Sequence, residues 1–288
     1  MIETQTAIMD KISIKKPKFE VMILSTVFDK TGKEFSVLGR TLSEWLAFAS
    51  VPNKSRILPY NRQTHPSVLE YIRQYLNQDY DYTIVLLSST PLIESATISR
   101  IIEYTAIKHC DMCKLPVGYV VSNKKPNASV DSIYSQDIED FYVVENKKQL
   151  GYAYSVLQER INNFHIASGV EIVKPKSVYI EPDVDISEGV VIYANNTIKG
   201  HTTIGSGTIL KENNVIEDSV IGSNCCMAGS NITKSHLCDE VYVASFCELI
   251  GAVVSDNSTI GTHSCIYGKK IKKGTKIEPN TILGENKC

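Results

Sequence analysis

The stretch IEPDVDISEGVVIYANNTIKGHTTIGSGTILKENNVI, residues 180–216, repeats an aliphatic residue every six positions: Ile180, Ile186, Ile192, Ile198, Ile204, Leu210 and Ile216. The series runs on through Ile221, Met227, Ile232, Leu237, Val243, Leu249, Val254, Ile260, Ile266, Ile271, Ile277 and Leu283, with five-residue steps after Ile216, Met227, Ile232, Leu249 and Ile266. An α-helix would scatter every sixth side chain around its circumference, and a flat strand has no reason to favour every third inward position. A three-sided coil accounts for the period. Each hexad forms one short strand plus a corner, three hexads close a triangle, and the repeated aliphatic points to the axis on every side. Three anchors per turn give about six coils of parallel β-helix. Gly205, Gly222, Gly261 and Gly284, each following an anchor, and the pairs Asn195-Asn196 and Asn213-Asn214 read as the corners, where Gly and Asn tolerate positive φ.

Upstream of the repeats the texture changes. Glu20–Ser25, Tyr82–Leu87 and Val117–Val121 are apolar runs of buried-strand length. Helical patterns separate them. Thr41-Leu42-Ser43-Glu44 is a capping box opening a helix with Leu42, Trp45, Leu46 and Ala49 on one side. Val68, Leu69, Ile72 and Leu76 mark a second helix, entered through Pro66, and Ile98, Ile101, Ile102 and Thr105 mark a third. Alternating strands and helices predict a mostly parallel sheet in an α/β layer. Asn123–Ser129 reads as a polar loop at the end of that sheet, and Leu150, Ala153, Leu157, Ile161 and Phe164 form one face of a connecting helix. The expected organisation is α/β plus β: an α/β domain over 1–146, a linker helix over 147–169 and a β-helix over 170–288.

The chain has 288 residues, 30 Lys+Arg against 32 Asp+Glu, and 43% hydrophobic content, enough for two modest domains with real cores. With a net charge of −2 and its basic residues scattered, it has no field to draw a phosphate backbone, so nucleic acid is not an expected partner. No apolar run approaches a membrane span and the start, MIETQTAIMDKISIKKPKFE, has no signal-peptide core, so the expected location is cytoplasmic, without a membrane partner. Eight cysteines in a long chain without an export signal read as free thiols. Cys110-Asp111-Met112-Cys113 with His109 could seed a metal or redox site, but no second CxxC completes four ligands, and ordinary packing is the plainer reading. Cys225-Cys226 and Cys288 suggest no role.

The hexad signature resembles that of the hexapeptide-repeat transferases, whose coils wind left-handed, against the usual crossover preference, and which typically trimerise. The order α/β unit, helix, hexad coil resembles the bacterial bifunctional enzymes that form UDP-N-acetylglucosamine, the N-acetylglucosamine-1-phosphate uridyltransferase/glucosamine-1-phosphate acetyltransferase family. The similar stretches are Val143–Leu150, Ile161-Asn162, Gly169-Val170, Tyr179–Glu181 and Val191–Tyr193, with Thr83–Leu92 and Gly39–Leu42 upstream. The resemblance implies a small Rossmann-like, nucleotidyltransferase-type α/β domain followed by a left-handed parallel β-helix. Homotrimers, acetyl-CoA and Mg²⁺ follow from the same resemblance.

The family's catalytic segments match less well. Its phosphate-wrapping loop, Leu-Ala-Ala-Gly-x-Gly-Thr-Arg-Met, falls on Leu24–Lys33, where one glycine and no arginine remain and Phe28 crowds the place a phosphate would approach. The metal-holding Asp of its Gly-Asp-x-Pro-Leu motif falls on Ser89, and the second metal-holding position on Glu145, which still offers oxygen. In the coil, Val243–Leu249 followed by Ser258–His263 resembles the segment bearing the general base of acetyl transfer, and His263 meets that base if one residue is inserted. In that register the family's paired lysines fall on Ile250 and Gly251, its substrate Tyr on Ile266, and its phosphate-binding Arg on Ile232 or Ile250. Lys269, Lys270, Lys272 and Lys273 form a basic corner that reads as a solvated face or as a seat for a different anion.

Three functions are consistent with these residues. The first is a divergent relative that has lost both activities, a pseudoenzyme acting as a sugar-nucleotide-pathway binding or regulatory protein, with an active paralogue as a partner. The second is a CoA-dependent acyltransferase of changed specificity with His263 as general base. The third is a reduced nucleotidyltransferase using Glu145 and an unidentified metal ligand. The missing charges favour the first.

Overall fold

The computed structural model describes residues 16–29 and 31–285, so Lys30, Cys288 and most of the amino-terminal stretch lie outside the described residues. The chain folds as two compact units, one up to Ala153 and one from Tyr154.

In chain order the first unit comprises β1 (Phe19–Ser25), β2 (Ser36–Val37), β3 (Arg40–Thr41), α1 (Leu42–Ala49), β4 (Lys54–Pro59), α2 (Val68–Arg73), β5 (Tyr82–Leu87), α3 (Ser95–Lys108), β6 (Met112–Lys114), β7 (Tyr119–Ser122) and β8 (Ser132–Ile133). The main sheet has the order β4-β1-β5-β7-β6-β8. Only its β4-β1-β5 half is parallel throughout; β7 runs antiparallel to both β5 and β6. The mostly parallel sheet expected from the alternation is therefore a mixed one. The short link Leu115–Gly118 explains this, because a parallel return needs a crossover of a dozen or more residues. Gly118 permits the hairpin: a Cβ there would run into the Val85 carbonyl oxygen.

Both faces of β1 are buried. Val21 and Ile23 join Leu46, Ile98 and Ile101 in one cluster, while Met22 and Leu24 join Tyr71 and Ile72 in another. Helix α1 begins at the expected capping box, with Thr41 Oγ1 accepting from the Glu44 amide at 3.2 Å and Glu44 Oε2 accepting from the Thr41 amide at 2.6 Å. Helix α2 is entered through Pro66 as expected, with Ser67 as its cap, and stops before Leu76, which still packs on the same core.

A long helix, α4 (Lys147–Ala167), contains the division between the units. Its buried positions are Ala153, Leu157, Gln158, Ile161, Asn162 and His165. Phe164, expected on that face, is 67% exposed. Asn162 explains the rotated face. Its amide donates to the carbonyls of Pro175 (2.8 Å) and Val178 (3.2 Å), backbone groups at the entry to the coil.

From Glu171 onward the chain forms three stacked parallel sheets. The first face carries Ile180, Ile198, Ile216, Ile232, Leu249, Ile266 and Leu283; the second Ile186, Ile204, Ile221, Leu237, Val254 and Ile271. The third carries Ile172, Ile192, Leu210, Met227, Val243, Ile260 and Ile277. Like anchors thus stack in register, and nearly all are buried. Each removes a large aliphatic side chain from water, worth about 1.5–3 kcal/mol. A parallel β-helix with the predicted anchors is what forms, beginning one anchor earlier, at Ile172.

The corners answer two demands, of which the expected positive φ is one. Gly205, Gly222 and Gly261 have no positive φ; they are small because the next coil passes too close, and a Cβ would meet backbone at 2.7, 2.6 and 2.6 Å. Of the expected positions, Asn195 (φ 60°), Asn213 (66°) and Gly284 (86°) are left-handed as predicted, and Gly207 (70°) and His263 (58°) join them. Asn196 and Asn214 have no positive φ and turn inward, forming a buried amide ladder in which Asn214 Nδ2 donates to Asn196 Oδ1 at 2.9 Å.

Candidate functional site

The carboxyl ends of β1 and β5 hold the residues that the resemblance assigns to nucleotide and metal. After β1 the chain makes a tight turn around Asp29. One oxygen of its carboxylate, Oδ1, accepts from the Thr31 amide (2.8 Å), the Thr31 hydroxyl (2.6 Å) and the Lys33 amide (3.0 Å). These bonds hold the Asp29 pKa below the usual carboxylate value, the Thr31 side chain contributing most. Two amides that could have faced a phosphate are thus occupied by the loop's own anion.

At the end of β5, Ser88 Oγ accepts from the Thr26 amide at 2.9 Å, the Ser89 carbonyl accepts from the Val144 amide at 2.7 Å, and Thr90 Oγ1 donates to the Leu87 carbonyl at 2.8 Å. The Val144 bond brings Glu145 next to the Ser89 strand end, so the two positions implied as metal ligands do come together. Ser89 is a buried neutral hydroxyl, and Glu145 is exposed with its amide bonded to Gln149 Oε1 at 2.8 Å. One exposed carboxylate and one hydroxyl do not fit the several charged oxygens that Mg²⁺ prefers. Among the described residues no group of three or more His, Cys, Asp or Glu side chains could hold a metal ion.

Cys110 and Cys113 are both buried core residues of this unit. Burial pushes the Cys113 thiol up to about 12 and raises Cys110 as well, the reverse of a reactive or ligating pair.

In the coil, His263 stands exposed at the corner between the third and first faces. Its ring stacks on Phe246, the equivalent residue one coil earlier, with centroids 5.1 Å apart and planes 17° apart. Ile232 and Ile266 point to the axis and are fully buried, so neither faces a ligand. Tyr267, next to Ile266, faces outward, and its hydroxyl donates to Glu248 Oε2 at 2.5 Å. That bond, first of all, raises the Tyr267 pKa. Sequence reasoning misses this pair although the signal is present: both residues flank inward anchors, and strand alternation turns both outward. The basic corner lies at the last turns, exposed, with Lys273 Nζ 3.4 Å from Asp256.

Two of the coil cysteines act as small polar packing residues. Cys225 and Cys247 are buried and donate to the carbonyls of Cys238 and Gly261, each at 3.1 Å. Ser230 and Ser264 make the corresponding bonds to Ala244 (2.9 Å) and Glu278 (3.1 Å).

Residues 206–288 match the family model described as GlmU-like, C-terminal hexapeptide. The bifunctional protein GlmU of Clostridium beijerinckii is 34% identical over 127 residues, a match covering 42% of this chain and 27% of that protein. The bifunctional protein GlmU of Streptococcus agalactiae is 33% identical over 121 residues, covering 42% and 26%. The chain therefore spans about a quarter of the length of these curated relatives, and the likeness lies in its hexapeptide region. Among solved structures, the acetyltransferase domain of PglB from Neisseria gonorrhoeae, in complex with acetyl coenzyme A, overlaps 92% of this chain and 96% of its own at 12% identity and a TM-score of 0.36. A single-residue mutant of perosamine N-acetyltransferase from Caulobacter crescentus, in complex with CoA and GDP-perosamine, overlaps 92% and 93% at 13% identity and a TM-score of 0.24. No helix among the described residues is long and apolar enough to cross a membrane.

Proposed function

We propose that this chain is a GlmU-like protein that has given up uridylyl transfer and serves the sugar-nucleotide pathway as a binding or regulatory protein. The observation that carries this reading is the Asp29 turn, where a built-in carboxylate takes the Thr31 and Lys33 amides in the place the resemblance gives to nucleotide phosphates. Ser89 in place of a metal-holding carboxylate supports it, as does buried Ile232 in place of a phosphate-binding arginine. Under this reading the coil is left-handed, packs as a homotrimer or beside an active paralogue, and works in the cytoplasm. Calorimetry of the purified chain with UDP-N-acetylglucosamine tests it. Saturable heat without turnover supports the proposal, and a flat trace removes the binding role.

A second reading is acyl transfer from acetyl-CoA with His263 as general base, favoured by one observation: the ring is exposed and its orientation is fixed by the Phe246 stack. Incubation with acetyl-CoA and a panel of amino sugars, compared with His263→Ala, decides it. Thiol release that depends on His263 supports this reading; release equal in both proteins eliminates it.

A further inference from the structure

The corner between the third and first faces is a ladder of left-handed residues: Asn195, Asn213, Gly229, Phe246, His263 and Asn280. Backbone bonds tie successive coils along it, including Gly229 N to Glu212 O (2.9 Å), Phe246 N to Gly229 O (2.9 Å) and His263 N to Ser245 O (3.1 Å). Asparagine and glycine suit such a rung, and phenylalanine does not: a bulky side chain at φ 62° occupies a region that L residues rarely adopt. Burial does not compensate, because Phe246 is 67% exposed. One face of its ring is covered by His263. On the side of the preceding coil stands Gly229, where an added Cβ would meet only the Glu212 carbonyl oxygen, at 4.0 Å. The rung below Phe246 thus has no side chain, and the next side chain down the ladder is Asn213.

We infer that this gap is a binding site for a planar heteroaromatic ring, of the kind found in nucleobases, which stacks on the open face of Phe246 over Gly229. Strands lie about 4.8 Å apart, so the Phe246 and Asn213 rungs are separated by roughly 9–10 Å. A ring about 3.5–4 Å from Phe246 fits between them. Base–aromatic stacking needs no charge, and it tolerates different bases because each presents a π face. Backbone strain retained at an exposed aromatic is the pattern expected where a side chain is held for a ligand. The site uses the coil alone, so it stands or falls apart from the role proposed above.

The test uses the full chain with uridine and adenosine, nucleosides without phosphate, followed by saturation-transfer NMR and a titration for Kd. The expected result is saturation concentrated on the base protons of one or both nucleosides. Affinity should fall about tenfold in Phe246→Gly, the factor that 1.4 kcal/mol of lost stacking gives. Gly229→Asn, which keeps the left-handed backbone and fills the gap, should weaken binding similarly. Phe246→Gly also relieves strain, so its melting temperature should not drop, and loss of binding cannot be put down to unfolding. Absence of base-proton saturation with both nucleosides overturns the site, as does affinity unchanged in both variants. A Phe246→Gly change that splits an oligomer while leaving nucleoside binding intact also overturns it, assigning the ring to contacts between copies.

Discussion

Replacing Asn214 by alanine should destabilise the coil by about 3 kcal/mol, a figure built from individual bonds. Asn214 is fully buried; its side chain donates to Lys211 O (2.7 Å) and Asn196 Oδ1 (2.9 Å) and accepts from Ser230 N (3.1 Å). The two acceptors keep other donors, since Asn196 Nδ2 also reaches Lys211 O and the Asn214 amide also reaches Asn196 Oδ1. Their losses cost roughly 0.5–1 kcal/mol each. The Ser230 amide loses its side-chain acceptor inside the coil, a penalty of about 1–3 kcal/mol, and the small void adds to it. Asn213→Gly is the control. Asn213 is exposed, its φ of 66° suits glycine, and it accepts one bond from Asn195 at 3.2 Å, so the change should stay within about 0.5 kcal/mol. Urea unfolding followed by far-UV circular dichroism reads the difference. With an m-value near 2 kcal/mol/M, Asn214→Ala should lower the coil midpoint by about 1.5 M. A shift below about 0.3 M, or an equal shift in the control, would refute the ladder's structural role.

Gly222→Ala should destabilise the coil by about 2–3 kcal/mol although its φ is not positive, because the new Cβ meets Cys238 backbone at 2.6 Å; thermal unfolding beside Gly274→Ala, where the added atom has open space, separates crowding from φ strain. Cys225→Ser and Cys247→Ser should each fall within about 1 kcal/mol of wild type in the same assay, since serine fills equivalent rungs at 230 and 264. His165 is buried and its pKa is lowered chiefly by burial, against a smaller pull from Asp185, so the unfolded chain binds its proton more readily. Its contribution is fully present above the unfolded value near 6.5 and is lost as pH falls through the folded pKa. Urea midpoints at pH 7.5 and 5.5 should therefore drop on acidification, and less so in His165→Leu; an equal drop in both proteins counts against this source.

The anchors are legible in the sequence because an inward aliphatic is demanded at each side of every turn. Ile172 escapes because Lys174–Ser177 lengthens the first turn and spaces it eight residues from Ile180. The glycines at 205, 222 and 261 mislead for a physical reason. Glycine answers both positive φ and close approach, and composition alone does not say which; Gly205 answers only the close approach of the next coil, whereas Gly207, two residues on, sits at φ 70° with the Asn224 side chain close by. In the first unit the apolar runs mark strands but not their directions, which the four-residue link before β7 decides. The neighbourhood of Ser89 and Glu145 follows from the resemblance, whereas the role of Asp29 is invisible in the sequence because it depends on a turn that folds back on its own side chain.

The loop after β1 is filled by its own carboxylate, and the proposed function requires that it no longer serve nucleotide phosphates. Pyrophosphate release from UTP and N-acetylglucosamine 1-phosphate with Mg²⁺, followed for the purified chain, tests it most directly. Release should be no faster than in the protein-free control; turnover proportional to protein concentration would show the loop to be a working phosphate site.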